Sequence, residues 1–399
     1  MTDTAPAQPS ERIDVVDALR GAALAGVLMA NLGPLSLYEF LTDAQKQALP
    51  TAAFDRVALA LMHLLVDGKA ITVFAMLFGV GFALQLDRGG ARDGERVGIF
   101  LRRVAVLLAI GMVHAYFVWW GDILVWYAAV GALMVPVRRA SNRVVLAIAA
   151  AIALVIPPLV FAQVRAFLAP PAQADVYAAA LSAFTTGGYA DIVRHNAALV
   201  DWSRRSNWAL VGFVGGRFLL GYWAARRGLL RDPAAHRVLL TRIFTVSLAL
   251  GIVLTFLQET QALWKAGVPF LAAGPGNLLM RMALRATTLT LGVAYGVGFL
   301  LLFQVERARG LLRLLAPVGR MALTNYLSQS VLGIAIFYGV GLGIGPRFGV
   351  AGWWTAWLAI FAAQVWASRV WLARYRYGPM EWLWRSLTYG ALQPIRVAP

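Results

Sequence analysis

Val144-Val-Leu-Ala-Ile-Ala-Ala-Ala-Ile-Ala-Leu-Val-Ile-Pro157-Pro158-Leu-Val-Phe-Ala162 runs for 19 residues without a charge. A bilayer core needs about 20 mostly apolar residues per helix, and a soluble surface helix of this length would show a polar face. The stretch therefore reads as a membrane span. The pattern recurs on both sides of it. Gly21–Tyr38 and Ala286–Phe303 are each 18 residues without a charge, and Met321–Pro346 is 26. Shorter spans lie at Ala70–Leu84, Ile123–Val137, Ile243–Leu257 and Phe348–Ala363. Val104–Gly121 is interrupted only by His114, and Ser206–Ala225 only by Arg217. The expected fold is an all-α, polytopic membrane helix bundle of about ten spans. The first span reads as an anchor rather than a cleaved leader.

Composition agrees. The chain has 399 residues, 60% hydrophobic and 14% charged, with a mean hydropathy of +0.68; a soluble domain is about 25% charged. With no cysteine, disulfide and thiolate chemistry are excluded. The net charge of +17, from 36 Lys and Arg against 19 Asp and Glu, could signal nucleic acid. Topology explains it better. With the N-terminus cytoplasmic and ten alternating spans, cytoplasmic segments hold 24 Lys and Arg and outer segments 9, while Arg217, Arg281 and Arg285 fall in or beside the spans. This is the positive-inside pattern. It places both termini in the cytoplasm, with the lipid bilayer as the chain's partner and no nucleic acid.

The organisation that follows has a polar tail at 1–11 and an N-terminal membrane region at 12–225. That region carries about six helices and a large outer loop at 163–206. A C-terminal membrane region at 226–390 precedes a short tail at 391–399. Arg376–Arg396, with Trp382, Trp384 and Tyr389 among arginines, suits an interfacial helix. Gly212/Gly216, Gly292/Gly296 and Gly341/Gly345 have the spacing of close helix packing, and a homo-oligomer is compatible with this. Gly79-Val-Gly81 lacks the rest of a dinucleotide fingerprint and reads as packing.

Ionisable and amide groups inside spans are costly and mark candidate sites. His114 lies in the outer half of its span, with Asp122 following at the boundary; the pair fits an oriented general base or a buried histidine satisfied by a neighbour. Asp17 and Arg20 are i,i+3 neighbours, and Asn31 shares the Arg20 face. Asn325 and Gln329, at i,i+4, either join helices or line a cavity. Arg217, near mid-membrane, needs a carboxylate, carbonyls or an anion, which makes it a substrate-binding candidate together with Tyr326. Lys69, one of three lysines, stands at the outer start of its span. Arg281 and Arg285 suit snorkelling. The four histidines, His63, His114, His195 and His236, are too scattered for a multi-histidine metal site, so no metal is expected.

Asp17-Ala-Leu-Arg20-Gly21, Leu77-Phe78-Gly79-Val-Gly81-Phe82, and His114 followed by Gly121-Asp122-Ile-Leu resemble the bacterial YeiB-like membrane proteins. Gly319-Arg320-Met-Ala-Leu-Thr324-Asn325-Tyr326 and Tyr377-Gly378-Pro379-Met-Glu381-Trp382-Leu-Trp384-Arg385-Ser-Leu-Thr-Tyr389-Gly390 resemble the DUF418 domain that defines them. The likeness runs from about Arg12 to Arg396. The family is in turn distantly similar to transmembrane acyltransferases, such as the lysosomal heparan glucosaminide acetyltransferase and bacterial polysaccharide O-acetyltransferases. That likeness implies an acyl-CoA donor, acetyl-CoA first among them, used from the cytosol. It implies a small-molecule, glycan or lipid acceptor on the other face, and a central histidine. The heparan enzyme carries its key histidine between the first two spans, where this chain offers His63; the histidine within the YeiB-like motif is His114.

On this reading Arg20, Arg102, Arg103 and Arg320 hold the CoA phosphates, and the pantetheine arm runs past Asn31, Asn325 and Gln329. His114 is the general base and Asp122 orients it. Lys69, or an amide of the ninth span, stabilises the oxyanion. The alternative is a transporter or exporter of a small anion or metabolite using Arg217, with His114 and Asp122 relaying protons. The absence of a recognisable internal repeat speaks against that alternative. A third reading is a non-catalytic membrane scaffold whose polar groups pair with one another.

Overall fold

In the computed structural model, residues 14–86 and 93–397 are described. The expected tail at 1–11 lies outside them, as do Arg88 and Arg92, two of the 24 basic residues assigned to cytoplasmic segments. The protein is 81% helical, with no strand among the described residues; one isolated bridge pairs Tyr375 with Arg396.

Among the described residues, seven helical stretches are long and apolar enough to cross a membrane: Asp14–Leu35, Ala52–Leu86, Gly94–Val118, Asn142–Leu168, Arg237–Glu259, Gly274–Leu302 and Gly349–Leu372. Tyr189–Ser206 and Leu210–Arg226, bent by 72° at their junction, make an eighth if counted as one span. Each of the ten spans expected from sequence falls on a helix, but two fall on short ones. Leu124–Met134 has 11 residues and Ala322–Phe337 has 16. At 1.5 Å per residue the first covers only about 16 Å of a 30 Å core. Its start is fixed by Asp122, whose carboxylate accepts from the Val125 N–H at 2.9 Å, and Pro136 follows its end.

The elements that position the site are these. Helix α1 is Asp14–Leu35, α2 Ala52–Leu65, α3 Lys69–Leu86 and α4 Asp93–Val113. Helix α4 runs into a π-helical turn, His114–Val118, and is followed by α5, Leu124–Met134. Helix α6 (Asn142–Ala150) passes through a second π turn, Ala151–Val155, into α7 (Ile156–Leu168). The segment expected as a loop at 163–206 contains a hairpin of α8 (Gln173–Thr186) and α9 (Tyr189–Ser206), and α10 is Leu210–Arg226. Then come α11 (Arg237–Glu259), α12 (Gly274–Leu284), α13 (Thr287–Leu302), α14 (Ala316–Arg320), α15 (Ala322–Phe337), α16 (Gly349–Leu372) and α17 (Pro379–Tyr389).

Close packing without a hydrophobic drive in lipid relies on small residues, and the glycines of the quoted motifs supply it. A Cβ on Gly79 would strike the Phe218 carbonyl, and one on Gly221 the Met76 carbonyl, so α3 and α10 touch backbone to backbone. A Cβ on Gly21 would meet the Leu315 carbonyl and one on Gly319 the Asp17 carbonyl, which fixes α14 against α1. Gly81, by contrast, faces open space. At the periphery, Val246, Ile252, Val253 and Phe256 of α11 are all exposed; an apolar surface of this kind on a helix is a lipid-facing one.

Candidate active site: a buried serine, histidine and aspartate

Helix α4 delivers His114 at the point where its backbone widens. The Trp119 N–H donates to the His114 carbonyl at 2.7 Å, closing the π turn, and the chain then goes extended through Trp119. Three residues on, Asp122 stands two residues before α5. Its Oδ1 accepts from the Val125 N–H in the first turn, a cap made from just outside the helix, and this leaves Oδ2 to meet His114 Nδ1 at 2.7 Å. One carboxylate thus caps a helix and orients an imidazole.

The third member comes from α15. Ser330 Oγ lies 3.0 Å from His114 Nε2. A carboxylate only accepts, so the imidazole proton sits on Nδ1 and Nε2 accepts from the Ser330 hydroxyl. Exposures of 2% for His114, 9% for Asp122 and 1% for Ser330 place the chain of bonds away from solvent. A hydroxyl, a base within hydrogen-bond reach and a group orienting the base form the arrangement of an activated nucleophile. Tyr326, one turn before Ser330, lays its ring 5.4 Å from the imidazole. Its hydroxyl accepts from the Ile123 N–H at 3.2 Å, which leaves the phenolic hydrogen free to donate. The Trp119 ring stands 6.4 Å away, and its Nε1 is buried without a partner.

The α8–α9 hairpin covers this group. Asn196 Nδ2 donates to the Val118 carbonyl at 3.1 Å, and the Tyr189 hydroxyl to the Phe117 carbonyl at 2.7 Å, so α9 satisfies the carbonyls at the end of the π turn. Beneath it Phe40, Trp120, Tyr177, Phe184, Trp202 and Tyr338 form one aromatic layer. Trp120 Nε1 and the Tyr338 hydroxyl in that layer also lack partners.

About 16 Å back along α4, three helical turns, arginines gather. Arg103 stacks on Trp384 of α17 at 4.0 Å, and the Trp384 indole donates to the Arg103 carbonyl at 2.8 Å. Arg102 donates to the Thr388 carbonyl at 3.3 Å. Arg20 pairs with Asp17 at 2.8 Å, and Arg20 and Arg385 both lie near enough to repel Arg103. Arg320 ends α14, which packs on α1. Glu381 holds this end together. Its Oε1 accepts from the N–H groups of Leu323, at 2.6 Å, and Thr324, at 3.1 Å, and its Oε2 from the Thr324 hydroxyl at 2.6 Å. The carboxylate caps α15 from 57 residues away. Burial pushes its pKa up, against the pull of those bonds.

Other expected site residues lie elsewhere. Asn325 donates to Ser368 Oγ and the Val318 carbonyl, and Gln329 to Gln364 Oε1. Both amides therefore join α15 to α16 rather than face His114. Asn31 is half-buried in α1. Lys69 donates to the His63 carbonyl at 2.5 Å and has no hydrogen bond to the His114 group, so the expected oxyanion role has no support in its position. His63 itself is exposed between Asp67 and Glu259. Among the described residues Arg217 finds no carboxylate: it donates to Thr72 Oγ1, Thr288 Oγ1 and the Phe213 carbonyl. Sequence reasoning passed over Ser330, Trp119 and Arg385. The one available signal was that Ser330 is i,i+4 from Tyr326 and shares its face.

Comparison with known proteins places the chain. Residues 224–391 match the family described as "Protein of unknown function (DUF418)". The chain is 31% identical to "Uncharacterized protein YxaH" of Bacillus subtilis (strain 168), over 99% of this chain and 98% of that protein. It is 29% identical to "Uncharacterized 39.9 kDa protein in amylase 3'region" of Bacillus acidopullulyticus, over 98% and 97%. It is 27% identical to "Uncharacterized protein YeiB" of Escherichia coli (strain K12), over 96% and 98%. No solved structure matches. The chain belongs to the YeiB family of DUF418 membrane proteins.

Proposed function

We propose that this chain is an acyltransferase of the bacterial inner membrane, taking an acyl group from cytosolic acyl-CoA and passing it to a hydroxyl or amine acceptor at the outer face. The observation that carries this reading is the hydrogen-bonded series Ser330–His114–Asp122. The arginines around Arg103 support it. Arg20 and Arg385 both lie near Arg103, and among the described residues Asp17 is the one carboxylate ion-paired with any of the three, an end suited to a polyphosphate donor.

In the first half-reaction Ser330 Oγ attacks the thioester carbonyl while His114 Nε2 takes the hydroxyl proton. The C–S bond breaks, Nε2 passes the proton on to the departing sulfur so that CoA leaves as the thiol, and the acyl group rests on Ser330 as an ester beside a neutral imidazole. In the second, the acceptor gives its proton to Nε2 and attacks the ester carbonyl, and Ser330 departs with that proton. Asp122 Oδ2 keeps its bond to Nδ1 and stabilises the imidazolium. The Tyr326 hydroxyl and the Trp119 indole are the free donors beside His114 for the tetrahedral oxyanion. Burial excludes water, which protects the ester from hydrolysis and requires a helix displacement for substrates to reach Ser330. The unpartnered donors Trp120 Nε1 and Tyr338 Oη need polar groups, and a polar acceptor arriving through the aromatic layer would supply them.

The test is covalent labelling of purified protein with radiolabelled acetyl-CoA and, separately, with a fluorophosphonate, followed by peptide mapping. We expect label on the peptide bearing Ser330, lost in Ser330→Ala and in His114→Asn. Wild-type protein that takes no label from either reagent, or equal labelling of Ser330→Ala, would overturn the proposal.

A further inference from the structure

A second polar group lies away from His114, around the break between α6 and α7. In the Ala151–Val155 turn, the Ala153 carbonyl should receive a bond from residue 157 in an α register or from residue 158 in a π register. Both are prolines, which have no N–H to give. Arg285 takes the freed carbonyl, with its Nε at 3.1 Å. Arg285 and Arg281, one turn apart at the end of α12, line a cavity of about 220 Å³ together with Pro158 and Leu284. Arg281 rests over the Phe161 ring at 5.7 Å.

Behind them is Arg217, 1% exposed. Its three hydrogen-bond partners are two threonine hydroxyls and a carbonyl, all neutral. Arg285 is close enough to repel both Arg217 and Arg281, and the Tyr127 hydroxyl, also near Arg217, is buried without a partner. Among the described residues no carboxylate forms an ion pair with Arg217, Arg281 or Arg285. Burying Arg217 without a counter-charge, with the half-buried Arg285 and the exposed Arg281 on its cavity side, is costly in a low-dielectric interior. The molecule accepts that cost next to a cavity.

We propose that this cavity is an anion site for a phosphate group, either of a phospholipid headgroup or of a free phosphate ester. The guanidinium ends of Arg281 and Arg285 supply the direct contacts, for which planar bidentate donors are suited, and Arg217 contributes field from behind. The volume admits a phosphate with a small substituent and falls below the range of sites for larger ligands. The site is separate from Ser330, so all measurements can be made in a Ser330→Ala background.

The experiment uses the full chain in two nanodisc types. One is phosphatidylcholine alone; the other is equal parts phosphatidylcholine and phosphatidylglycerol. In the mixed discs, native mass spectrometry reads retained lipid, and a headgroup site predicts phosphatidylglycerol bound about ten-fold less by Arg281→Gln/Arg285→Gln, the loss of one charge-assisted bond or more. In the neutral discs, inorganic phosphate is titrated, and a free-anion site predicts a rise in Tm for wild type that the double variant lacks. Either result supports the site and tells its source. Equal lipid retention together with no phosphate-dependent Tm difference overturns it. If the double variant does not fold, Arg281→Gln alone keeps the test, because that side chain is exposed and its one named contact is the Phe161 ring.

Discussion

Asp122→Asn separates the chemistry from the scaffold. Asp122 uses Oδ1 to cap α5 and Oδ2 to hold His114. Asparagine caps helices about as well as aspartate, so its carbonyl oxygen can keep the Val125 bond. The amide NH₂ then faces His114 Nδ1, and an N–H can only donate there. The imidazole must move its proton to Nε2, where it points at Ser330 and can no longer accept the hydroxyl proton. In the serine-protease template, the corresponding change costs about 10⁴ in turnover, or about 5 kcal/mol of barrier. Stability should fall far less. A charge-assisted bond is exchanged for a neutral one, at about 1 kcal/mol. The assay is the rate of Ser330 labelling by a fluorophosphonate in neutral nanodiscs, with the melting temperature measured on the same sample. We expect labelling slower by about three to four orders of magnitude in a protein whose melting temperature falls by only a few degrees. Labelling at the wild-type rate would show that Asp122 does not set the tautomer and would refute the reasoning.

Three further outcomes follow from the packing. Gly319→Ala forces a Cβ into the Asp17 carbonyl and should cost about 1–3 kcal/mol or more, whereas Gly81→Ala, facing open space, should be neutral or stabilising; thermal melts of the two variants check the contrast. Glu381 has a raised pKa through burial, so the folded state holds its proton more tightly than the unfolded chain. Its contribution is full below the ordinary carboxylate range and is lost as pH rises through the raised value; Glu381→Gln should flatten that fall in a melting series across pH. Gln364→Leu removes the acceptor of Gln329 and the donor to the Asn325 carbonyl and Ser328. It should destabilise by about 1–3 kcal/mol, read by the same melts, while leaving Ser330 labelling in the folded fraction intact.

The membrane fold was legible because hydropathy over about 20 residues is a strong local signal. Span length was not, because the cap at Asp122 and the break after Phe337 depend on where the chain must turn. His114 and Asp122 stood out as ionisable groups in apolar surroundings. Ser330 did not, since an apolar helix tolerates a serine for many reasons, and only the docking of α15 on the π turn brings it to Nε2. The i,i+4 amides Asn325 and Gln329 were visible, yet their direction was set by a matching pair, Gln364 and Ser368, on α16. Glu381 was visible only as part of a motif, because a cap contributed by a distant segment leaves no trace in local spacing.

The π turn at His114 also sets what lengths this segment tolerates. A π turn is an α-helix with one residue too many. Deleting any one residue of His114–Val118 would restore a regular helix and rotate everything after it by about 100°. Asp122 would swing from beneath the imidazole, and Asn196 would lose the carbonyls it caps. The surplus residue is therefore a fixed count. Point substitutions at Phe117 leave the backbone register alone, but an insertion or deletion between Val113 and Asp122 dismantles the histidine's surroundings even when His114 and Asp122 themselves are retained.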